Sequence, residues 1–218
     1  MVREALAGGV ELEILALGEG VEFEAPARRT LVLGRRALAA VSRTVTPQGV
    51  LALARWETVP VAEAAAVAHA AGWPLVVLDG VQDPGNVGTI SRSAAAAGAP
   101  ALVVLEGGAH PLGPKAVRAS AGCVFRLAVA RGGWAELAEL EGYAASASGG
   151  APLEEADLAR AGLLALGGET RGVSRRDLLP VTIPMAEGVE SLNVAAAAAI
   201  LLFELRRRIA ERGSEGAA

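Results

Sequence analysis

Three polar, glycine-rich segments interrupt an apolar sequence, and each follows a run of residues typical of a buried strand. The first is Asp-Pro-Gly-Asn-Val-Gly-Thr-Ile-Ser-Arg, with Asn86, Gly88 and Arg92. A strand that leads through a glycine-rich turn into a helix can bind a polar or anionic ligand at the helix N-terminus. The glycine spacing fits neither a dinucleotide fingerprint nor a P-loop. From spacing alone, Asn86 as a helix cap and Arg92 as a surface side chain are open alternatives.

The second segment is Leu-Ala-Leu-Gly-Gly-Glu-Thr-Arg-Gly, which begins at Leu164. Gly167 and Gly168 have no side chain, so the backbone can approach a ligand closely there. Glu169 follows at the carboxyl end of a strand, which is the usual ligand side of a parallel sheet. A plain turn with an exposed glutamate explains the same residues.

The third segment runs from Ile183-Pro-Met185 through a loop to Ser191-Leu-Asn193. Either Ser191 or Asn193 could cap the helix that closes the chain. Capping alone would explain these side chains, so the segment by itself does not identify a binding site.

The elements around these segments alternate between strand and helix from residue 73 onward. Apolar, β-branched runs predict buried parallel strands, and alternation with helices predicts βαβ units with right-handed crossovers. The predicted strands are 74–78, 101–105, 124–128, 143–146, 163–166 and 181–183, and the predicted helices are 86–97, 114–119, 133–141 and 191–208.

The chain is predicted to contain a small N-terminal α/β unit and a larger α/β domain. Residues 1–56 read as three strands, 11–17, 30–33 and 50–54, with a helix at 35–42 and a turn at 47–49. An alanine-rich stretch, 57–72, predicts a linker helix, 73–212 form the larger domain, and 213–218 are expected to be a disordered tail.

Composition excludes several classes of protein. Hydrophobic residues make up 52% of the chain, which suits a packed core. The single Cys123 and the separated His69 and His110 argue against a metal centre. The apolar run 194–203 is too short to span a bilayer, and no signal peptide is evident, so a cytoplasmic protein is expected. A net charge of −4 argues against non-specific coating of nucleic acid but not against a local RNA-binding patch.

Together the three segments resemble the SpoU (TrmH) branch of the SPOUT RNA methyltransferases. The resemblance covers about residues 75–205 and contains three motifs in order. The matching residues are Asn86, Gly88 and Arg92 in the first motif, Gly167 and Glu169 in the second, and Ile183-Pro-Met185 with Ser191-Leu-Asn-Val194 in the third. More weakly, Glu4-Ala-Leu6 and residues 44–49 resemble the family's ribosomal-protein-like RNA-binding domain. That domain is expected to be truncated at its start, unless Met1 is not the natural first residue.

The resemblance implies a trefoil-knotted, mostly parallel sheet with helices on both faces, assembled as a homodimer with active sites shared between subunits. It implies that S-adenosylmethionine is held in a bent form by the backbones around Gly167, Ile183 and Leu192, with Leu166, Gly168 and Met185 beside them. It places Asn86, Arg92, Glu169, Ser191 and Asn193 in the catalytic site, with ribosomal or transfer RNA as substrate. The transferred methyl group would go to a ribose 2′-hydroxyl.

Two questions stay open at this level. The family's proposed base is Arg92, but an arginine guanidinium keeps its proton in proteins, so orienting the ribose and stabilising developing oxyanion charge is the physically easier role. A non-catalytic RNA-binding module and a small-molecule methyltransferase are the alternative functions.

The final helix predicts an obligate homodimer, because apolar side chains occur on nearly every side of it. One side is expected to cover the larger domain and another a second subunit. Leu202 and Phe203 are the expected outward positions.

Overall fold

The computed structural model describes residues 1–42 and 48–215. The chain divides into two compact units, Met1–Glu57 and Thr58–Ala218. The first residue of the turn expected at 47–49, and most of the 44–49 segment that resembles the family's RNA-binding domain, lie outside the described residues.

The N-terminal unit is a small α/β structure. Its elements are α1 (Val2–Ala7), β1 (Leu12–Gly18), β2 (Ala27–Leu33), α2 (Arg35–Val41) and β3 (Val50–Ala54). The sheet has the order β2-β1-β3, with β2 parallel and β3 antiparallel to β1. The sequence predicted three strands and one helix here but missed α1, which is only six residues long and contains Glu4-Ala-Leu6.

The larger unit is built on a seven-stranded sheet in the order β6-β5-β4-β9-β7-β10-β8. Every pair of neighbouring strands in it is parallel. This confirms the predicted parallel sheet with helices. Its strands are β4 (Leu75–Asp79), β5 (Ala101–Leu105), β6 (Ala128–Gly132), β7 (Gly142–Ser146), β8 (Ala151–Pro152), β9 (Leu163–Gly167) and β10 (Leu179–Thr182), and its helices are α3 (Val61–Ala70), α4 (Pro84–Ala97), α5 (Pro114–Ala119) and α6 (Val194–Glu215).

Helices cover both faces of this sheet because alternate strand residues point to opposite sides. In β4, Val76 and Leu78 join the core cluster formed with α4 and α6. Leu75 and Val77 join a second cluster, formed with α3. Strands buried on both faces lack polar alternation, which is why the sequence shows them as continuous apolar runs.

Helix α3 is part of the larger unit and not a free linker, which corrects the sequence interpretation of 57–72. Its Val61, Ala64 and Ala68 are at most 2% exposed and pack in the second core cluster. The packing of α3 on the sheet was not predicted, because small alanine side chains produce only a weak amphipathic pattern.

Two predicted elements are wrong. Residues 123–126 form a short 3₁₀ turn, and the strand begins only at Ala128. The helix predicted over 133–141 is a single 3₁₀ turn, Trp134–Leu137. Arg175 donates to the carbonyls of Leu137 and Ala138, where this turn ends.

Helix α6 begins later and ends later than predicted. Asn193 directly precedes it, and its Oδ1 accepts from the backbone N–H of Ala195 at 2.9 Å, as an N-cap does. At the far end, Arg208 donates to the carbonyls of Leu153 and Ala156. Helix therefore continues through 213–215, where a disordered tail was expected; residues 216–218 lie outside the described part of the chain.

Low pH should weaken the hydrogen bonds that the Glu204 carboxylate makes within α6. The Glu204 carboxylate accepts from Arg207 at 2.7 and 2.9 Å and from Arg208 at 2.6 Å. The bond to Arg207 is the main cause that lowers the pKa of Glu204 from 4.5 to about 2. A lowered pKa stabilises the fold above pH 4.5, and this contribution disappears as the pH falls through about 2.

We therefore expect the stability difference between wild type and Glu204→Gln to shrink by about 1 kcal/mol between pH 6 and pH 2.5, a figure reduced for solvent screening around the half-exposed Arg207. Urea unfolding of both proteins at several pH values measures this difference. Parallel pH curves for the two proteins would contradict the assignment.

Candidate active site

A cleft opens at the carboxyl edge of the parallel sheet, where β7, β9 and β10 end. Its volume is about 250 Å³, near the lower end of small-molecule sites, so it suits a compactly folded ligand. The lining residues that the sequence had singled out are Leu166, Gly167, Gly168, Glu169, Ile183, Met185, Ser191 and Leu192. Loops after neighbouring parallel strands meet at one edge, which explains why residues so far apart in sequence converge.

One carboxylate and two amides form a hydrogen-bonded cluster beside this cleft. Both Asn86 and Asn193 donate from Nδ2 to Oε1 of Glu169, at 3.2 and 3.0 Å. The two asparagines also meet, with Nδ2 of Asn193 3.4 Å from Oδ1 of Asn86. One residue from each of the three sequence segments thus contributes to a single polar cluster. Glu169 is exposed, so its carboxylate can accept hydrogen bonds from a ligand.

The start of α4 holds Asn86 in this cluster. The helix N-cap is Asp83, whose Oδ1 accepts from the backbone N–H of Gly85, so the alternative reading of Asn86 as the cap is wrong. Lys115 donates to the same Asp83 oxygen at 2.7 Å, and this bond is the main cause that lowers the pKa of Asp83. Because Asp83 caps the helix, the side chain of Asn86 can donate its hydrogen bond to Glu169.

Arg92 is not in contact with the cluster. It is exposed and makes no hydrogen bond or ion pair with any residue that the structure describes. It follows Asn86 by six residues, which places it about 9 Å further along α4 and about 120° around the helix axis. It shares a face with Gly88, whose missing Cβ lets α4 lie against the backbone of Ala116 in α5.

The two glycines of the second segment allow close backbone packing around the cleft. A Cβ on Gly167 would collide with the backbone of Gly172 and Val173, and one on Gly168 with the carbonyl of Gly80. Gly168 and Gly172 form an isolated antiparallel bridge, closed by a 2.9 Å hydrogen bond from Gly172 N–H to the Gly168 carbonyl. The loop is therefore tightly folded where it lines the cleft.

The sequence analysis missed the wall that β7 contributes. Ala145, Ser146 and Ala147 line the cleft at the end of that strand. The signal was present, since a short apolar strand runs there into Ser-Ala-Ser-Gly-Gly. These residues are small and uncharged, so they did not indicate a ligand-binding surface.

Among residues 1–42 and 48–215, no helix combines the length and apolarity needed to cross a bilayer. Within the same residues, no group of three or more His, Cys, Asp or Glu side chains is arranged to hold a metal ion.

A parallel sheet whose strand ends surround a cleft is the arrangement in which α/β proteins commonly bind small molecules. The chain matches the SpoU rRNA Methylase family over residues 74–203. It is 35% identical over 185 residues to the 23S rRNA (guanosine(2553)-2′-O)-methyltransferase RlmP of Bacillus subtilis, a match that covers 80% of this chain and 71% of that protein.

Two further relatives come from Streptomyces viridochromogenes. A 23S rRNA (uridine(2479)-2′-O)-methyltransferase is 36% identical over 154 residues, which are 63% of this chain and 54% of that protein. The crystal structure of the SpoU methyltransferase AviRb with AdoMet matches with a TM-score of 0.79 at 26% identity, over 96% of this chain and 88% of that one.

The chain therefore belongs to the SpoU rRNA methylase family. Its methyl donor is S-adenosylmethionine, as the sequence predicted. The expected trefoil knot follows from the SPOUT fold to which the seven-stranded sheet conforms.

Proposed function

We propose that this protein transfers a methyl group from S-adenosylmethionine to a ribose 2′-hydroxyl of RNA. The observation that carries the proposal is the cluster of Asn86, Glu169 and Asn193 at the mouth of a backbone-lined cleft. The cleft offers peptide groups near Gly167, Ile183 and Leu192 for the donor, and the cluster offers polar atoms for the acceptor.

The chain's own residues mainly bind and orient. When bound, S-adenosylmethionine supplies a methyl group already activated by its sulfonium, so positioning is the enzyme's largest task. Glu169, held by two amides, can accept a hydrogen bond from a ribose hydroxyl and fix its direction. Ser191 lines the same cleft and is exposed, so its hydroxyl is available to either ligand. Arg92 would orient the 2′-oxygen and stabilise the negative charge that develops on it, while the hydroxyl proton passes to the Glu169 carboxylate or to solvent.

Ribosomal RNA is the substrate that we favour. Two relatives, RlmP and the uridine enzyme of Streptomyces, carry 23S rRNA 2′-O-methyltransferase names. In the N-terminal unit, Arg29, Arg35 and Arg36 are exposed and can contact phosphates, although that unit is not strongly basic overall. An RNA substrate and a single cysteine favour the cytoplasm as the place of action.

A transfer assay tests this function directly. The purified chain is incubated with methyl-labelled donor and, separately, with unmodified ribosomal RNA, unmodified transfer RNA and a metabolite extract. We expect label in ribosomal RNA, at a position where alkaline hydrolysis no longer cleaves, because a methylated 2′-oxygen cannot attack the adjacent phosphate. Label only in small molecules would support the small-molecule alternative, and donor binding without transfer to any acceptor would support the non-catalytic module.

We also propose that the active unit is a homodimer formed on α6. Ile200 and Phe203, three residues apart on one helix face, are 42% and 48% exposed. Leu192, just before the helix, is 36% exposed. Together they form an apolar surface that a two-fold partner can cover. Arg92, which does not touch the cluster of its own chain, could then serve the cluster of the partner.

Leu202 is not part of this surface, which corrects the sequence interpretation. Its side chain is fully buried within the same chain, together with Leu201 and Leu205. Only Phe203 of the two expected outward positions faces solvent.

Phe203→Glu should therefore convert the dimer into a folded monomer, because the charge would be desolvated in the apolar interface. Light scattering should fall from twice the chain mass of 22.0 kDa to once that mass, with methyl transfer lost. Val67→Glu on α3, where Val67 is 37% exposed, is the matched control and should remain dimeric. A wild-type monomer that methylates RNA would contradict the shared site.

A further inference from the structure

The segment between β9 and β10, residues 168–178, is held in place by Asp79 at the end of β4. This segment carries Glu169 and contributes Gly168 and Gly172 to the cleft. Asp79 itself is not among the residues that line the cleft. Any effect of Asp79 on the reaction must therefore act through the segment that it holds.

Asp79 binds this segment at two points. Its backbone carbonyl accepts from Gly168 N–H at 2.8 Å, where the chain leaves β9. Its Oδ2 accepts from Ser174 N–H at 2.6 Å, where the chain returns. Residues 168–174 thus form an arc whose two ends are joined to one residue, and Glu169 lies within the arc.

Trp134 completes the anchor. Its indole Nε1 donates to the same Asp79 oxygen at 3.2 Å and lies 2.9 Å from Ser174 Oγ. The Arg175 guanidinium lies 5.7 Å from the centre of the Trp134 ring and donates to the carbonyls of Leu137 and Ala138. The Trp134 indole and the Arg175 guanidinium therefore hold the end of the arc, at Ser174, close to Asp79.

The side-chain anchor differs in kind from ordinary loop packing. Backbone N–H groups bound to an ionised carboxylate make some of the stronger hydrogen bonds in proteins. Val173, next to Ser174, is buried, so the arc is also seated in the core at that point. The burial of Val173 keeps this end of the arc in place. The hydrogen bond from Ser174 N–H to the Asp79 carboxylate orients the backbone that lies against Gly167 at the cleft.

We propose that Asp79 is a positioning residue for the methyl donor: through Ser174 and Trp134 it holds the arc 168–174 in the conformation that binds the donor. The proposal rests on the proposed function, because it assigns this cleft to S-adenosylmethionine. Without the carboxylate, the arc would be less ordered before the donor binds. Binding would then have to order it, which costs free energy and lowers the affinity for the donor.

Calorimetric titration of the full chain with S-adenosylmethionine tests the proposal. We expect Asp79→Ala to weaken donor binding about tenfold, which corresponds to the loss of one charge-assisted hydrogen bond. Asp79→Asn keeps an acceptor but loses the charge and should lie between wild type and Ala. Asp157→Asn, a carboxylate paired only with the exposed Arg160 among the described side chains, is the matched control and should bind normally.

Three readouts separate positioning from a general structural role. The KM for the donor should rise while the KM for RNA and the kcat at saturating donor stay nearly unchanged. A protein that is merely less folded would instead show fewer binding sites with unaltered donor affinity. Amide hydrogen exchange over 168–174 should rise in both Asp79 variants, with or without donor.

The outcomes distinguish the two proposals. If wild type binds no donor, the proposed function fails, and hydrogen exchange still decides whether Asp79 anchors the arc. If wild type binds donor but Asp79→Ala binds it equally well and exchanges no faster over 168–174, the positioning role is overturned. Should Asp79→Ala not fold, Asp79→Asn and Trp134→Phe must both weaken donor binding, or the proposal fails.

Discussion

Replacing Arg92 by alanine should reduce methyl transfer by about 10²–10³-fold, the usual effect of removing one donor that stabilises a developing oxyanion. Donor affinity should change little, because Arg92 does not line the cleft. The expected loss is therefore in kcat and not in the KM for S-adenosylmethionine. Steady-state transfer to ribosomal RNA at varied donor concentrations measures both quantities, and calorimetry measures the donor affinity directly.

Arg92→Lys distinguishes the possible roles of this side chain. Lysine keeps the positive charge but loses the planar guanidinium fork. Partial activity in Arg92→Lys would indicate charge stabilisation, whereas loss equal to that of alanine would indicate a need for the fork. Arg126→Ala on the neighbouring 3₁₀ turn is a control for general loss of basic charge. Near-normal turnover in Arg92→Ala would refute a catalytic role.

If the site is shared between subunits, Arg92 and Glu169 should complement each other. Heterodimers of Arg92→Ala with Glu169→Ala chains contain one site with both residues intact if the two come from different chains. About half of the wild-type activity per heterodimer is then expected, since one of two sites is complete. Activity absent from every heterodimer would place both residues of each site in one chain.

Replacing Gly167 by alanine or valine should abolish measurable donor binding, with an affinity loss of at least about a hundredfold. Even a single Cβ at this position would meet the backbone of Gly172 and Val173. The bridge between Gly168 and Gly172 would then have to open, and the cleft wall would move. Backbone cannot yield as a flexible side chain can, so alanine should already be sufficient.

Gly133→Ala is the matched control for this substitution. Gly133 follows β6 at the same edge of the sheet, and a Cβ there would meet no atom within 4 Å. Its φ of −121° is also accessible to alanine. The control should bind donor as wild type does, with an equal melting temperature. Unchanged donor binding in a folded Gly167→Val protein would show that the donor lies elsewhere.

Much of the site could be predicted from the sequence because local patterns mark the ends of buried strands. Runs such as Leu163–Gly167 are apolar and bounded by glycine, so both the strand and the loop after it were evident. Parallel strands direct such loops to one edge, which brought all six of the expected donor-site residues to the cleft. Their roles toward donor and RNA are still predictions.

Several features depended on contacts between residues distant in sequence and could not be predicted from local pattern. The segment 133–141 has a helical pattern but forms only one turn, and its end is bound by Arg175 through the carbonyls of Leu137 and Ala138. The small side chains of α3 gave no sign that it packs on the sheet. The anchoring of Ser174 by Asp79 joins residues 95 positions apart.

By itself, the sequence determined most of the strands and helices, the polar loops after three of the strands and the family to which they belong. Only the tertiary structure decided that β9 lies next to β4, which lets Asn86 and Asn193 meet on Glu169. It also decided that Phe203 and not Leu202 faces solvent. The physical reason is that element type follows from local periodicity, whereas neighbours across a sheet and the exposed side of an apolar helix follow from how the whole core packs.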